Sequence, residues 1–327
     1  MRVLLVGAGA VGQVYGWHFA QGGADVAFLV RPRHRETLQA GLPLYPHPHR
    51  KHAHPLSWSG FGVCTSGQEA AAWAPDVVVL CTPSNALREA WLGELVKALP
   101  ADITWLCLAA GMDDADLVRT HTGAERLLVG LIALISYPGP LPGETRQEPG
   151  MVWWFPPLSS CPFAGSASRL GPVLQCLRAG GMPVSHKPRL QQNSAWPNAI
   201  LMPFLVALEL ANWSFDALKQ GDGMSDAAAS IRETTNIVAA RLGRSAPLWT
   251  RLVGALTLRF VLWAAELVVP LPLEAYLRFH FTKVGAQTRM FIDGYENTAK
   301  ALAVATPVLN RNAERLRVLD HSSSLAS

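Results

Sequence analysis

The sequence predicts an α/β N-terminal domain, built on a doubly wound parallel sheet, followed by an all-α C-terminal domain. In the first half of the 327-residue chain, short apolar runs alternate with helical segments. Apolar strands separated by helices are typical of a parallel sheet that is covered on both faces. In the second half, the segments are long, rich in Ala and Leu, and helical in period. We place the domains at residues 1–185 and 186–327.

The first half contains four apolar runs of strand length. They cover residues 2–6 (RVLLV), 24–30 (ADVAFLV), 76–81 (DVVVLC) and 103–108 (ITWLCL). The composition and spacing of residues 11–21 predict a helix between the first two strands.

The remaining segments follow from the same patterns. Residues 127–156 contain two apolar stretches around a Gly/Pro-rich turn, which predicts an antiparallel extension of the sheet, and residues 170–178 predict a closing helix. Long helices are expected within four segments of the second half: 190–212, 225–242, 245–267 and 273–303. The tail from residue 317 onward is expected to fray.

The composition excludes several classes of protein. Charged residues make up 16% of the chain and hydrophobic residues 50%, which excludes a disordered protein. The net charge is +4 and no stripe of Lys and Arg is visible, so no nucleic-acid partner is expected. The five cysteines are widely spaced without a CxxC motif, which indicates reduced thiols of a cytoplasmic protein and no metal site.

No membrane segment is predicted. The most apolar late region, residues 252–273, is interrupted by Arg259, Glu266 and two prolines, and we interpret it as buried core helices. The four histidines of residues 45–54 are expected on an exposed loop or hairpin tip rather than at a metal site, because prolines and basic residues surround them.

A glycine motif of the GxGxxG type directly follows the first predicted strand. In the sequence GAGAVG, Gly7 would allow a tight turn, Gly9 would let backbone N–H groups approach a pyrophosphate, and Gly12 would let the next helix pack on the strand. With Ala10 and Val11, the motif opens a helix whose N-terminus favours anions. The strand–loop–helix context predicts a Rossmann-type dinucleotide site.

The end of the second strand indicates which dinucleotide binds. An NAD site places an acidic residue there to accept hydrogen bonds from the ribose, whereas this chain has Arg31 and Arg33 and no acid before Glu36. The two guanidinium groups could bind a 2′-phosphate, so NADP(H) is the expected cofactor. The alternative is that both arginines are merely solvated.

The glycine loop at the N-terminus, Arg31 after the second strand and a helical second half together resemble the ketopantoate reductase family. The stretch WPNAILMP at residues 196–203 is similar to the start of that family's first long helix in its second domain, and Thr306 and Pro307 resemble its last helix–loop junction. The resemblance implies NADPH-dependent reduction of a 2-oxo acid, in a cleft between two domains.

The catalytic positions implied by the resemblance are mostly changed here. Asn198 matches a family asparagine, but Ser194 stands where the family has its proton-donating lysine. The other departures are Met202 at a second polar position on that helix, Pro83 for another lysine, Ala110 for an asparagine, and Gln287 for a late carboxylate. Efficient turnover of ketopantoate is therefore not expected.

Lys283 is the candidate substitute for the missing lysine. It precedes Gln287 by four residues, which would place both on one helix face, and a partly desolvated lysine can release a proton. The alternative is that Lys283 only caps its helix or lies at the surface. Asn198, Lys283 and Gln287 are thus the candidate catalytic residues.

Two functions remain open from the sequence. The first is an NADP-dependent reductase of a small anionic carbonyl substrate, and the second is a catalytically inactive NADP-binding sensor or scaffold. The missing lysine favours the second, and the intact glycine loop favours the first. The apolar helices of the second half are a candidate face for a homodimer.

Overall fold

The structure is a computed structural model that describes residues 1–45, 54–109, 111–146 and 148–325. The chain divides into two compact units, Met1–Ser194 and Ala195–Ser327. The first unit extends past the expected boundary because strand and helix residues up to 193 pack on its sheet.

The N-terminal unit contains all the strands of the described residues. They are β1 (Arg2–Val6), β2 (Asp25–Leu29), β3 (Leu42–Tyr45), β4 (Leu56–Trp58), β5 (Gly62–Cys64), β6 (Val77–Leu80), β7 (Thr104–Cys107), β8 (Leu127–Gly130), β9 (Ile135–Gly139), β10 (Gly150–Trp154), β11 (Cys161–Ala164) and β12 (Val184–His186). Its α-helices are α1 (Ala10–Gln21), α2 (Arg35–Gln39), α3 (Gly67–Trp73), α4 (Trp91–Ala98), α5 (Asp114–Thr122), α6 (Ala167–Ala179) and α7 (Leu190–Asn193).

The main sheet has eight strands in the order β12-β11-β8-β7-β6-β1-β2-β5. Its pairs are parallel except for β11 with β8. Alternate residues of β1 enter different cores: Val3 and Leu5 pack in one apolar cluster, and Leu4 and Val6 in another. Each face of the sheet is therefore buried, and the predicted doubly wound α/β domain is confirmed.

The predicted antiparallel extension is partly wrong. β8 runs parallel to β7 inside the main sheet. Within residues 127–156, only β9 and β10 pair antiparallel with one another, and they belong to a second sheet with the order β4-β3-β10-β9. The strands β3, β4 and β5 were not predicted because runs of three or four residues give too little alternation to identify.

The C-terminal unit is helical throughout its described residues, as predicted. Its helices are α8 (Ala195–Leu210), α9 (Phe215–Lys219), α10 (Gly223–Arg241), α11 (Ala255–Val268), α12 (Leu273–Lys283), α13 (Gly285–Ala301) and α14 (Pro307–Leu325). The buried helix α10 lies at the centre of this unit and contacts α8, α11, α13 and α14.

Two predictions for this unit are wrong. The tail expected to fray from residue 317 belongs to α14, because Arg317 pairs with Asp293 at 3.0 Å and Asp320 pairs with Arg289 at 2.7 Å, both on α13. The helix α11 is not a buried core helix, since Leu262 is its only buried residue.

Candidate active site

The glycine loop follows β1 as predicted, and its backbone is fixed by two hydrogen bonds. Gly7 has a φ of +99°, a conformation that favours glycine, and its N–H donates to the Leu29 carbonyl of β2 at 2.9 Å. Gln13, in the first turns of α1, donates its side-chain amide to the Ala8 carbonyl at 2.9 Å. The loop is thereby held between β2 and the helix that it opens.

Gly9 and Gly12 have different surroundings. A Cβ on Gly12 would lie 2.0 Å from the Gly7 carbonyl oxygen, so only glycine lets α1 start this close to the loop. A Cβ on Gly9 would meet no protein atom within 4 Å. The predicted packing role of Gly12 therefore has a direct cause in the fold, while the space beside Gly9 is open to a ligand.

The N-terminus of α1 can bind an anion. Gly9 is its N-cap residue and Ala10 and Val11 its first residues, and the first turn carries no acidic side chain. The first N–H groups of a helix lack intrahelical acceptors and carry a partial positive charge. Backbone donors beside an open space are what a pyrophosphate requires.

A buried hydroxyl beside the loop supports the same assignment. Thr82 follows β6, which pairs with β1 so that Leu80 lies opposite Val6. Its Oγ1 is buried and has no hydrogen-bond partner among the described residues, and its methyl group would lie 3.6 Å from a Cβ on Gly7. An orphaned polar atom at this edge, the open space at Gly9 and the free helix N-terminus together fit a dinucleotide.

The loops that follow β6 and β7 are tied together by Asp114. This fully buried carboxylate accepts hydrogen bonds from Ser84 Oγ at 2.5 Å, Arg88 at 2.9 Å and the Gly111 N–H at 2.7 Å. Both Asp113 and Asp114 lie at the start of the helix α5. Asp113 occupies the N-cap position, but Asp114 binds the two loops to one another at the carboxyl edge of the sheet.

The arginines after β2 have different partners. The Arg31 side chain is exposed, and no hydrogen bond or ion pair engages its guanidinium within the described part of the chain. Arg33 donates Nε to His34 Nε2 at 3.2 Å, and Arg35 pairs with Glu69 and Thr65 at 2.5 and 2.7 Å. Arg31 and, by a small rearrangement, Arg33 can therefore meet a phosphate, whereas Arg35 is already neutralised.

In the C-terminal unit, Asn198 lies in the second turn of α8 and is buried. Met202, one turn later, is buried as well, so the apolar residue at that family position belongs to the core of this helix. Ser194 precedes α8 and donates its hydroxyl to the Gln191 carbonyl at 3.1 Å. Gln287 is half-buried in the first turn of α13, a helix that packs against α8.

Two premises of the argument for Lys283 are wrong. Lys283 is the last residue of α12, and the helix is interrupted at Val284 (φ −105°, ψ 22°). Lys283 and Gln287 therefore lie on different helices rather than on one face of the same helix. The Lys283 side chain is exposed, so the expected desolvation is not found. Its charge acts on His280, whose pKa is lowered by burial and by Lys283.

The thiols and histidines offer no further chemistry in the described ranges. All five cysteines are free, and burial raises the pKa of Cys107 to about 12 and that of Cys81 beyond it, so these thiols stay protonated. His54 contacts Glu148, while His47, His49 and His52, like Ala110, lie outside the described residues. Nowhere in the described chain do three or more His, Cys, Asp or Glu residues form a group that could hold a metal ion.

Sequence reasoning missed Gln13, Thr82 and the role of Asp114. Thr82 could have been found from the strand order, because the strand next to β1 must end beside the glycine loop. The contacts of Gln13 and Asp114 depend on loop conformations that no sequence pattern specified.

The N-terminal part of the chain matches the model of a known protein family. Residues 3–153 match the model of the ketopantoate reductase PanE/ApbA family. The predicted resemblance to a divergent member of this family is thus confirmed for the residues matched. No curated protein sequence matches this chain.

Solved structures resemble the whole chain. A PanE/ApbA family ketopantoate reductase from Ralstonia eutropha JMP134 is 19% identical with a TM-score of 0.72, covering 99% of this chain and 100% of that one. A 2-dehydropantoate 2-reductase from Geobacter metallireducens GS-15 is 18% identical, with a TM-score of 0.69 and coverages of 98% and 100%. D-mandelate dehydrogenase with NADH and anilino(oxo)acetate is 14% identical, with a TM-score of 0.72 and coverages of 98% and 99%. These likenesses establish the fold of both domains.

Proposed function

We propose that this protein is an NADP-dependent reductase of a small 2-oxo acid or a similar anionic carbonyl compound. The observation that carries the proposal is the glycine loop with its open space at Gly9. It is combined with Arg31 after β2, whose guanidinium has no partner among the described residues. The family that matches the N-terminal domain consists of reductases, which supports an enzyme acting on the C=O/CH–OH pair.

The cofactor preference depends on the residues after β2 rather than on the fold. The D-mandelate dehydrogenase structures of similar fold contain NADH, so the architecture alone does not require NADP(H). In this chain, Arg31, Pro32 and Arg33 follow the strand without an acid to accept from the ribose hydroxyls. A charge-assisted bond from Arg31 to a 2′-phosphate supports NADP(H).

The pyrophosphate would be held by backbone N–H groups of the glycine loop, at Gly7, Gly9, Ala10, Val11 and Gly12. Thr82 Oγ1 supplies a further buried polar atom. The nicotinamide, when bound, supplies the hydride for carbonyl reduction. The protein residues must then orient the carbonyl and deliver a proton to its oxygen.

Three residues of the C-terminal unit are proposed for these tasks. The amide of Asn198 would orient the substrate carbonyl, and Gln287 would add a neutral donor. Lys283 would attract the carboxylate of the substrate and act as proton donor. Its exposure makes the attraction of an anion the better supported of these two roles, because a lysine that donates its proton is normally a desolvated one.

The second candidate function is NADP binding without turnover. It is favoured by Ser194, because the hydroxyl that stands at the position of the family lysine already donates to the Gln191 carbonyl and is a poor acid near pH 7. General acid catalysis typically contributes about 10²–10⁴-fold, so its loss alone could silence the reaction.

NADPH oxidation measured against a panel of 2-oxo acids, including 2-dehydropantoate and an aryl 2-oxo acid, separates the two functions. We expect turnover of at least one compound other than 2-dehydropantoate, and its loss by about 10²-fold or more in Asn198→Ala. The exposed Asn193→Ala is the matched control and should remain active. Tight NADPH binding without turnover of any compound would instead establish the binding module.

A further inference from the structure

A cavity of about 450 Å³ lies within the C-terminal unit, where the ends of several helices meet. It is lined by the end of α8, by α9, by the N-terminus of α10 and by α14. Its volume is in the range of small-molecule sites. The candidate catalytic residues do not line it, and Asn198 lies about 18 Å from Leu210 along the axis of α8.

Two oppositely charged side chains of the cavity wall have unused hydrogen-bonding groups. Asp222 is the N-cap residue of α10, but its carboxylate makes no capping bond, and no other partner engages it within the described ranges. Arg315 of α14 approaches only Asp226, with an N–O distance of 3.8 Å that is too long for a hydrogen bond. The cavity therefore offers a carboxylate to a cation and a guanidinium to an anion.

The other two charges of the wall compensate one another. Arg311 donates to the Asp226 carboxylate at 2.6 Å, so this pair already joins α14 to α10. With Asp222 and Arg315, the cavity wall carries two negative and two positive charges, which sum to zero. Electrostatic complementarity therefore favours a ligand that carries both signs over a simple anion or a simple cation.

A buried amide adds a third polar group. Asn312 lines the cavity and is 2% exposed. Its Nδ2 donates to Ser230 Oγ at 3.2 Å, whereas its Oδ1 has no hydrogen-bond partner in the described part of the chain. A buried amide oxygen without a donor is unfavourable. A donor group of a ligand, met by a rotation of the Asn312 amide, would remove that cost.

We propose that this cavity binds a free amino acid with an aliphatic side chain. The carboxylate of the ligand would pair with Arg315, and its ammonium would pair with Asp222 and donate to Asn312 Oδ1. Its side chain would contact Leu210 and Leu218. Inorganic phosphate and dicarboxylates fit less well, because the two carboxylates of the wall would repel them.

Calorimetric titration of the whole chain with L-alanine, L-valine, L-leucine and L-methionine tests the site. We expect at least one of them to bind with a dissociation constant below about 1 mM. The amine and the carboxylic acid that each lack one charged group of the tightest ligand are the matched probes; for L-leucine they are isoamylamine and 4-methylpentanoate. Both should bind about tenfold more weakly or worse.

Substitutions assign the binding to this cavity. Asp222→Asn and Arg315→Gln should each weaken binding of the amino acid by about tenfold or more. They should leave the melting temperature nearly unchanged, because both side chains are exposed. Arg278→Gln, an exposed arginine of α12 outside the cavity, is the matched control and should bind normally. Asn198→Ala should also bind normally.

Several results would overturn the proposal. One is the absence of binding by all four amino acids at about 10 mM. Another is binding that both Asp222→Asn and Arg315→Gln leave unchanged. Loss of binding in Asn198→Ala alone would move the ligand to the candidate active site. Equal affinities for 4-methylpentanoate and L-leucine would show a simple anion site instead of one that recognises both charges.

Discussion

A Cβ on Gly12 would lie 2.0 Å from the carbonyl oxygen of Gly7, so the loop and the helix that it opens are in direct contact. Gly9, three residues earlier than Gly12, has no protein atom near its corresponding position. The two glycines of one motif therefore serve different purposes, and the following substitutions separate them.

Gly12→Ala should destabilise the folded protein by about 1–3 kcal/mol, because a backbone oxygen must move to admit the methyl group. Gly9→Val should leave the melting temperature nearly unchanged and abolish dinucleotide binding, because its side chain would fill the space for the pyrophosphate. Thermal unfolding and NADPH titration of both variants check this pair. Normal NADPH binding by Gly9→Val would show that the loop has another role.

Arg31→Ala should weaken NADPH binding by about 1.5–3 kcal/mol, roughly ten- to a hundredfold, through loss of one charge-assisted bond. NADH binding should change little. The control is Arg35→Ala, because the Arg35 guanidinium is already paired with Glu69 and should contribute nothing to the phosphate. Fluorescence titration with both dinucleotides is the measurement, and equal affinities of the unmutated protein for NADPH and NADH would contradict the proposal.

Asp114→Ala should cost about 3–5 kcal/mol of stability, since it removes the carboxylate that accepts from the Ser84 hydroxyl, the Gly111 N–H and the Arg88 guanidinium. Asp116→Ala, on the same helix, removes only an exposed pair with Arg119 and should cost less than about 1 kcal/mol. Urea unfolding of the two variants measures the difference. Similar losses would mean that the loops after β6 and β7 do not depend on Asp114.

The buried His18 should make stability fall with acidification. Burial lowers its pKa, and its Nδ1–H donates to the Gly180 carbonyl at 2.7 Å, so the folded protein holds the neutral ring. Below the ordinary histidine value of 6.5, the unfolded chain binds a proton that the folded chain does not. Stability is therefore present above about pH 6.5 and is lost as the pH falls towards the lower pKa of the folded state.

The slope for one histidine is at most about 1.4 kcal/mol per pH unit. His280, whose pKa is also lowered, acts in the same direction, so His18→Gln should reduce the slope between pH 6.5 and 5 without abolishing it. Gln21→Ala, an exposed substitution at the end of the same helix, changes no titratable group, so it is the control and should leave the slope unchanged. Urea unfolding at several pH values checks the prediction, and an unaltered slope in His18→Gln would contradict it.

The sequence predicted the features that depend on residues close together in the chain or on a regular repeat of apolar side chains. The strands β1, β2, β6 and β7 are continuous apolar runs, and the glycine loop has a fixed relation to β1, so both could be predicted. The exposure of α11 could not be, because an apolar helix in a core and one at an interface have the same composition. The break at Val284 is a single residue with one unusual backbone conformation, which no periodicity marks.

The residues of the candidate site also differ in how far the sequence alone predicts them. Gly7, Gly9, Gly12 and Arg31 were found because dinucleotide binding requires a local motif at one strand end. The roles of Asn198, Lys283 and Gln287 stay predictions, since they depend on how residues distant in sequence approach a substrate. Thr82 and Asp114 became visible only with the strand order, which brings separate loops to one edge of the sheet.

The second sheet cannot be completed until β10 has been synthesised. Leu44 of β3 pairs with Met151 of β10, so its two halves come from segments about a hundred residues apart. During synthesis, β3 leaves the ribosome well before β10, so the edge of β3 that pairs with β10 has no neighbour until β10 emerges. Until then, the nascent chain must keep that edge from other strands, which makes this interval the one at which a chaperone would be of most use.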